Sequence, residues 1–333
     1  MFKKIKKNKK LILRVDGGKK LGFGHLYRTL TIIKCIKNYS FKVFIREDRD
    51  GFNFLKKNKI DVKKISNKNE LKELKKIKAE TLILDTIAIS KNRIKQYKKI
   101  YKKLVIFEDL DNKGQKYANL IFNSIINGPI NKIKKIKHGK KYIGAKYKIL
   151  NGPLIQKKIK KDKSAVISFG GGDYNKKTIL KITNIIKVLL TLKIKTKIIY
   201  GPGITKRTIL MINKIFRNVD SHNQPKEIHS ILKKSSLLFC AGGGTIYDGI
   251  ANKCIIFYSP INSHQKKNIS MFQKINCGFL INDFRINYLE KYINKILNNK
   301  LLINQQLKKY ENIIQKNGII EVRKILCKFL DKD

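Results

Sequence analysis

Residues Ser236–Asn268 read SLLFCAGGGTIYDGIANKCIIFYSPINSHQKKN, and this stretch decides the fold. It predicts a short apolar strand (Leu237–Cys240), then a turn of three glycines, then a helix that begins at Thr245 and carries Asp248. A second apolar run, Cys254–Tyr258, predicts the next strand. A strand that leads through a glycine turn into a helix and then into another strand is the repeating unit of parallel α/β sheets.

The glycine turn, Gly242–Gly244, is predicted to hold a phosphate group. A strand, turn and helix in this order direct several backbone N–H groups and the positive end of the helix dipole at one point. Asp248 lies about one turn into the helix, where an acidic side chain commonly reaches a sugar hydroxyl. The same glycines also suit a plain tight connection between strand and helix, so a nucleotide site and a structural turn both remain open.

Strands alternate with helices on both sides of this unit, which predicts two parallel α/β domains. The chain has 333 residues, which suits two domains of about 150 residues each. The pattern weakens after residue 112 and restarts with a strand at Ala165–Phe169, after a charged segment without apolar period. We therefore predict domains at residues 1–154 and 164–333, with residues 155–163 as linker and the helices after Arg285 in the second domain.

The charge and composition limit the function classes. The formal net charge is +53, which invites a nucleic-acid interpretation. Only nine of the 76 basic residues are arginine, however, and the lysines are spread along the whole chain. The guanidinium of arginine binds phosphates and base edges with two hydrogen bonds and suits them better than lysine does. We therefore expect no nucleic-acid partner and interpret the charge as a basic surface that attracts anionic ligands. A lysine-rich nucleic-acid-binding protein remains the non-enzyme alternative.

The cysteines and the N-terminus predict a cytoplasmic location. The five cysteines are odd in number and show no CxxC spacing, which favours reduced core residues over disulfides or zinc ligands. The basic start MFKKIKKNKK precedes only a short apolar run, so we predict no signal peptide and no stable membrane insertion. No metal-ligand spacing is visible, and no metal or other cofactor is expected.

The loop LGFGHLYR at residues 21–28 contains the candidate catalytic histidine, His25. Gly22 and Gly24 allow the backbone to approach a ligand, and Arg28 lies on the same helix face as His25. The helix dipole disfavours the protonated form of a histidine at a helix N-terminus, so His25 is predicted to act as a neutral base. A surface histidine that caps a turn is the structural alternative.

Three further groups of residues are candidates for ligand binding. Loop residues that follow a second-domain strand could approach a diphosphate or a sugar: Gly170, Gly171 and Asp173. Polar side chains that precede or open a helix could bind sugar hydroxyls, or could simply cap that helix: His264, Gln265 and Asn268. Aspartates at strand ends should collect at the carboxyl edge of the first sheet, as acids or as groups that orient loops: Asp16, Asp85 and Asp109.

Taken together, these motifs resemble a known family. The chain looks like the sugar-nucleotide hydrolase of pseudaminic acid biosynthesis and its spore-coat polysaccharide relatives. Three motifs carry this resemblance: Arg14-x-Asp16 with the GFGHxxR loop, SFGG at residues 168–171 with Asp173, and AGGGTxYD at residues 241–248. The resemblance covers the chain up to about Ile281. The later glycine motifs are shared with two-domain glycosyltransferases of the GT-B type.

The resemblance implies two Rossmann-like domains in a GT-B-type arrangement, with the site in the cleft between them and UDP held mainly by the second. It also implies hydrolysis of a UDP-linked diacetamido-trideoxy sugar at its anomeric bond, without a metal. His25 would activate or position water, and Asp248 would bind the ribose. The diphosphate would lie along Gly243, Gly244 and Thr245.

Three departures from the hydrolase pattern keep a second enzyme class open. The family's ribose ligand is usually Glu, whereas this chain has Asp248. The segment after Asp85, DTIAIS, lacks the tyrosine that the hydrolases tend to have. His264 stands before Gln265 where the hydrolases tend to have Asn, and this pairing is more typical of the transferases. A GT-B glycosyltransferase with a UDP-N-acetylhexosamine donor is therefore the alternative. The oligomeric state is left open.

Overall fold

The structure is a computed structural model that describes residues 9–86, 90–107, 117–126, 139–152, 154, 159–172, 174–225 and 228–331. The chain divides into two compact units. The first comprises Met1–Leu21, His25–Ile149 and Gly318–Asp333, and the second comprises Gly22–Gly24 and Leu150–Asn317.

The elements follow one another as alternating strands and helices through most of the chain. Residues up to 149 form β1 (Lys9–Val15), α1 (Gly24–Cys35), β2 (Tyr39–Arg46), α2 (Arg49–Lys57), β3 (Val62–Ile65), α3 (Glu70–Lys75), β4 (Thr81–Asp85), α4 (Lys91–Ile100), β5 (Lys103–Phe107), β6 (Leu120–Asn123), β7 (Lys140–Ile143) and a short 3-10 helix (Ala145–Tyr147). Later residues form β8 (Asp162–Ser168), α5 (Lys176–Thr191), β9 (Lys195–Tyr200), α6 (Lys206–Ile215), β10 (Asp220–Asn223), α7 (Ile228–Lys234), β11 (Ser235–Cys240), α8 (Thr245–Ala251), β12 (Ile255–Tyr258), α9 (Ser263–Lys274), β13 (Phe279–Leu280), α10 (Ile286–Leu297), α11 (Lys300–Ile313) and α12 (Ile319–Leu330).

The first unit is built on a parallel sheet with strand order β3-β2-β1-β4-β5-β6-β7. The central strand β1 pairs with β2 on one side and β4 on the other, and Val15 lies in register with Asp85. Because the strands are parallel, the carboxyl ends of β1 and β4 meet at one edge. That edge is where ligands of doubly wound sheets bind.

The second unit repeats the plan with the order β10-β9-β8-β11-β12-β13, again parallel throughout. Its core includes Ile167 on β8, Phe239 on β11 and Phe257 on β12, packed under α5, α6 and α10. The Phe239 and Phe257 rings stack with centroids 4.8 Å apart. The predicted parallel α/β domains are thus confirmed.

The compact units differ from the predicted domain bounds at the C-terminus. We assigned every helix after Arg285 to the second domain, whereas residues from Gly318 onward group with the first unit. The backbone N–H of Gly318 donates to the Lys148 carbonyl oxygen at 2.8 Å, and the Tyr39 hydroxyl donates to Asp331 at 2.6 Å. The sequence of an amphipathic helix shows that one face is apolar, but it does not show against which core that face packs.

Candidate active site

His25 and Asp85 form a buried pair at the carboxyl edge of the first sheet. The glycine loop after β1 places His25 in the first turn of α1, and Asp85 is the last residue of β4. His25 Nδ1 lies 2.5 Å from Asp85 Oδ1, and both residues are buried. Asp85 is therefore the direct partner of the predicted catalytic histidine. The sequence alone left both a catalytic and a structural role open for this strand-end aspartate.

Arg28 completes this arrangement from the next turn of α1. Its Nε donates to Asp85 Oδ2 at 2.7 Å, its Nη2 donates to Asp85 Oδ1, and its guanidinium lies 5.5 Å from the centre of the Phe107 ring. Burial alone would raise the pKa of Asp85, but the charge of Arg28, with His25 and their hydrogen bonds, outweighs it and lowers that pKa. Asp85 is therefore a carboxylate at neutral pH.

The Asp85 carboxylate determines the tautomer of His25. A carboxylate accepts hydrogen bonds and donates none, so Nδ1 of His25 carries the proton that faces Asp85. Nη2 of Arg28, 2.9 Å from the same nitrogen, is then a neighbour and not its hydrogen-bond donor. In the neutral ring, Nε2 consequently holds the lone pair that can accept a proton.

Asp16 follows β1 but faces other partners than His25. Its carboxylate accepts from Nη1 of the buried Arg14 at 2.6 Å, and Arg46 Nη2 lies 3.7 Å away. Glu70 accepts from Nε of Arg14 on the other side. This network satisfies the buried charges internally, and the role of Asp16 in substrate binding stays a prediction. Asp109 lies outside the described residues.

In the loop after β8, Gly171 packs closely against Gly203 and Phe23. The N–H of Gly203 donates to the Gly171 carbonyl oxygen at 2.8 Å, and a Cβ on Gly171 would come within 3.4 Å of Phe23. Phe23 belongs to the tripeptide 22–24 that groups with this unit. In contrast, a Cβ on Gly22, Gly24 or Gly170 would meet no atom of the non-adjacent described residues within 4 Å. Asp173 lies outside the described residues.

The turn between β11 and α8 presents unbonded amides. In the described part of the chain, the backbone N–H groups of Gly243, Gly244 and Thr245 donate to no protein acceptor, and all three residues are at least partly exposed. Gly242 has φ +96°, and a Cβ there would collide with the side chain of Ile269. Three successive free amides at the carboxyl end of a central strand suit the oxygens of a phosphate group.

Asp248 is buried and held within its own unit. Its Oδ1 accepts from the Asn151 backbone N–H at 3.3 Å, its Oδ2 accepts from Asn151 Nδ2 at 3.1 Å, and His229 Nε2 lies 3.5 Å from Oδ1. Burial lowers the pKa of His229 and outweighs the opposite effect of Asp248. Binding of a ribose by Asp248 stays a prediction, and it would require Asn151 to give way.

The polar residues after β12 lie in the first two turns of α9, which begins at Ser263. Asn262 caps this helix by accepting from the Gln265 N–H at 2.9 Å. Asn268 is buried and donates from Nδ2 to the Gly242 carbonyl oxygen at 2.6 Å, while its Oδ1 has no partner among the described residues. Gln265 Nε2 would lie 4.0 Å from a Cβ on Gly243. Gln265 and Asn268 thus adjoin the glycine turn, whereas the role of His264 stays a prediction.

Two properties of the described residues bear on the chemistry. No three His, Cys, Asp or Glu side chains among them are grouped to hold a metal ion. None of the described helices has both the length and the apolar character needed to cross a bilayer.

Sequence reasoning missed Asn151 and His229 altogether. No local signal marks them, because Asn151 is 97 residues from its partner Asp248 and the pairing exists only in the folded unit. Asp85 itself had a signal in the sequence, namely a carboxylate at the end of a buried strand. Its pairing with His25 had none, because β4 lies beside β1 in the sheet but two other strands separate them along the chain.

Two proteins are related in sequence. An uncharacterized protein of Methanocaldococcus jannaschii, MJ1062, is 25% identical over 266 residues, which is 72% of this chain and 53% of that protein. The match thus spans about half of that relative's length. The spore coat polysaccharide biosynthesis protein SpsG of Bacillus subtilis is 23% identical over 247 residues, 71% of this chain and 72% of that protein. No family model matches the sequence.

Solved structures resemble the chain over nearly its whole length. MurG of Acinetobacter baumannii has a TM-score of 0.69 at 13% identity and covers 96% of this chain and 99% of its own. The spinosyn rhamnosyltransferase SpnG, complexed with thymidine diphosphate, has a TM-score of 0.66 at 11% identity and covers 95% and 99%. The UDP-GlcNAc 2-epimerase of Neisseria meningitidis, bound to UDP-GlcNAc, reaches 0.58 at 10% identity and covers 97% and 100%. The chain has the fold of GT-B glycosyltransferases, with two Rossmann-like α/β domains.

Proposed function

We propose that this chain is a nucleotide-sugar hydrolase of surface polysaccharide biosynthesis that cleaves the anomeric bond of a UDP-linked sugar. The observation that carries the proposal is the pair of His25 and Asp85, with Nδ1 of the imidazole 2.5 Å from a buried carboxylate. The polysaccharide role of SpsG and the nucleotides bound by SpnG and the epimerase support the substrate class. The motif resemblance favours a diacetamido-trideoxy sugar on the route to pseudaminic acid.

In the proposed reaction, His25 is the general base. Its Nε2 takes a proton from water, the water oxygen bonds to the anomeric carbon, and the bond from that carbon to the diphosphate oxygen breaks with its electron pair leaving on UDP. Asp85 stabilises the imidazolium that forms, and Arg28 keeps Asp85 ionised. Asp85 and Arg28 are thus positioning residues. No step requires a metal.

The second unit is proposed to hold the UDP. The free amides of Gly243, Gly244 and Thr245 would bind the diphosphate oxygens and stabilise the charge of the leaving group. Asn268 and Gln265 adjoin this turn and are proposed to contact the ligand directly. For Asp248 the bonds to Asn151 favour an internal anchoring role, and the ribose role remains the alternative.

Replacing Gly244 with alanine should weaken UDP binding without unfolding the protein. Gly244 has φ −57° and ψ −26°, and an added Cβ would meet no atom within 4 Å in the non-adjacent part of the described chain. The free energy of unfolding should therefore change by less than about 1 kcal/mol. A methyl group on the surface that receives the diphosphate should lower the affinity for UDP by about tenfold, or roughly 1.4 kcal/mol, measured by calorimetric titration.

Two further variants are compared with Gly244→Ala, by thermal unfolding and by the same titration with UDP. Gly242→Ala should lower the unfolding temperature, because Gly242 has a left-handed φ of +96° and lies against Ile269. Asp248→Asn should also lower it, since a buried carboxylate that accepts from Asn151 is lost. Unchanged stability of Asp248→Asn with weaker UDP binding would instead support the ribose role. Unchanged UDP affinity in Gly244→Ala would remove the turn from the proposed site.

A glycosyltransferase is the second candidate. The transferases MurG and SpnG are among the structural neighbours, and a base such as His25 can deprotonate an acceptor hydroxyl as readily as water. In that case an acceptor alcohol would replace water, and the other roles would stay the same.

Release of free UDP separates the two candidates. We would incubate the protein with a panel of UDP-linked acetamido sugars, with water as the only acceptor, and measure free UDP. Steady release from one sugar is the expected result. Tight binding of UDP without release would favour the transferase, and the absence of both binding and release would contradict the whole proposal.

A further inference from the structure

Helix α6 of the second unit exposes three apolar side chains close together. Leu210 is 68% exposed, Ile215 is 56% exposed and Met211 is 39% exposed. The opposite side of the same helix buries Ile212 in the core. Single exposed apolar residues are ordinary on protein surfaces, but this short helix exposes three, and Met211 and Ile215, one turn apart, are neighbours on its surface.

The apolar side chains of α6 stand among basic ones. Lys206, Arg207 and Lys214 on the helix and Arg217 just after it are all exposed, and the helix sequence KRTILMINKI contains no acidic residue. The nearest acidic residue along the chain after the helix is Asp220, which pairs with His222 at 3.2 Å. The exposed part of α6 is therefore both apolar and cationic.

Helix α5 also exposes apolar and basic side chains. Leu180 and Leu190 are exposed on it, and exposed lysines accompany them, among them Lys187. The connections β8-α5-β9 and β9-α6-β10 step in the same direction across a parallel sheet, so the right-handed crossover rule places both helices on the same face. Their buried residues Ile182 and Ile212 accordingly share one core. We call this outer surface of α5 and α6 the α5–α6 face.

We propose that the α5–α6 face docks on the surface of an anionic lipid bilayer. Leucine, methionine and isoleucine side chains can enter the boundary between headgroups and acyl chains, while lysine and arginine bind lipid phosphates. Charge complementarity selects this occupant, because the helix brings only cations and the whole chain carries a formal charge of +53. The docking is interfacial, consistent with helices too short or too polar to cross a bilayer in the described chain.

The experiment is co-sedimentation with vesicles at about 0.15 M salt, where the screening length is about 8 Å. One set of vesicles contains phosphatidylglycerol and phosphatidylcholine, and the other contains phosphatidylcholine alone. The test variant is Leu210→Gln with Ile215→Gln. The control is Leu301→Gln with Ile320→Gln, which alters side chains of matching exposure, 70% and 56%, on α11 and α12. Neither pair changes the net charge, and all four side chains are too exposed for folding to depend on them.

The unmodified protein and the control should bind the anionic vesicles equally, and both should bind neutral vesicles weakly. The test variant should lose about tenfold or more in its partition to anionic vesicles. Equal binding by test and control variants would overturn the proposal, because charge alone would then explain retention. Equal losses in both variants would overturn it as well, since the effect would not belong to the α5–α6 face. The outcome does not depend on the proposed reaction.

Discussion

Replacing His25 with glutamine should reduce turnover of the UDP-sugar by a factor on the order of 10²–10⁴, the usual contribution of a general base. Glutamine fills a similar volume and can still hydrogen-bond to Asp85, but its amide does not take up a proton near neutral pH. The loss should lie in kcat and leave KM nearly unchanged, because the base acts in the transition state and does not hold the nucleotide. Release of UDP over time gives both constants.

His222→Gln is the matched control for this substitution. His222 lies in the second unit, is paired with Asp220 at 3.2 Å and has no part in the proposed chemistry. The His222→Gln variant should turn over the UDP-sugar at the same rate as the unmodified protein. The His25→Gln variant should still bind UDP with nearly unmodified affinity. A His25→Gln protein that released UDP at the normal rate would remove histidine from the mechanism.

The alternation of strands and helices could be predicted because buried parallel strands are apolar along their whole length. The run Cys254–Tyr258 was predicted as a strand, and Ile255–Tyr258 forms β12, which is buried throughout. The strands that were missed, β7 with sequence KKYI and β10 with sequence DSHN, lie at the edges of their sheets. An edge strand has one neighbour and more water around it, so its sequence need not be apolar.

The candidate site could be predicted only where it is local in sequence. Glycines before His25 and around Gly243 mark turns at strand ends, and such turns leave a composition signal. The partner of His25 could not be read in the same way, because β2 and β3 separate β1 from β4 along the chain although β1 and β4 are neighbours in the sheet. The contact between Asp248 and Asn151 has no periodicity or spacing that reveals it. Long-range pairing is a property of the fold and not of any window of sequence.

Replacing Asp85 with asparagine should lower kcat on the order of 10²-fold while KM changes little. The carboxylate accepts from His25 Nδ1 and from two nitrogens of Arg28, whereas an amide offers one oxygen and adds a donor. His25 then loses the acceptor that fixes its tautomer and stabilises its charged form. The variant should also lose about 3–5 kcal/mol of unfolding free energy, because Arg28 keeps a charge in a mostly buried place without its counter-ion.

Glu70→Gln separates this effect from simple loss of stability. Glu70 is a buried carboxylate of the same unit that pairs with Arg14, so its replacement should also destabilise the protein while kcat stays near the unmodified value. Equal loss of kcat in both variants would reduce Asp85 to a structural role.

The pH dependence of stability offers a second measurement on Asp85. Its pKa in the folded protein is lowered below the ordinary 3.8, so the carboxylate contributes stability that is complete above that value and is lost as the pH falls through the lower folded pKa. The difference in unfolding free energy between the unmodified protein and Asp85→Asn should therefore shrink as the pH falls below about 4. Chemical denaturation at several pH values measures this difference. A difference that stayed constant below pH 3 would mean that the charge of Asp85 does not hold Arg28 and His25 in place.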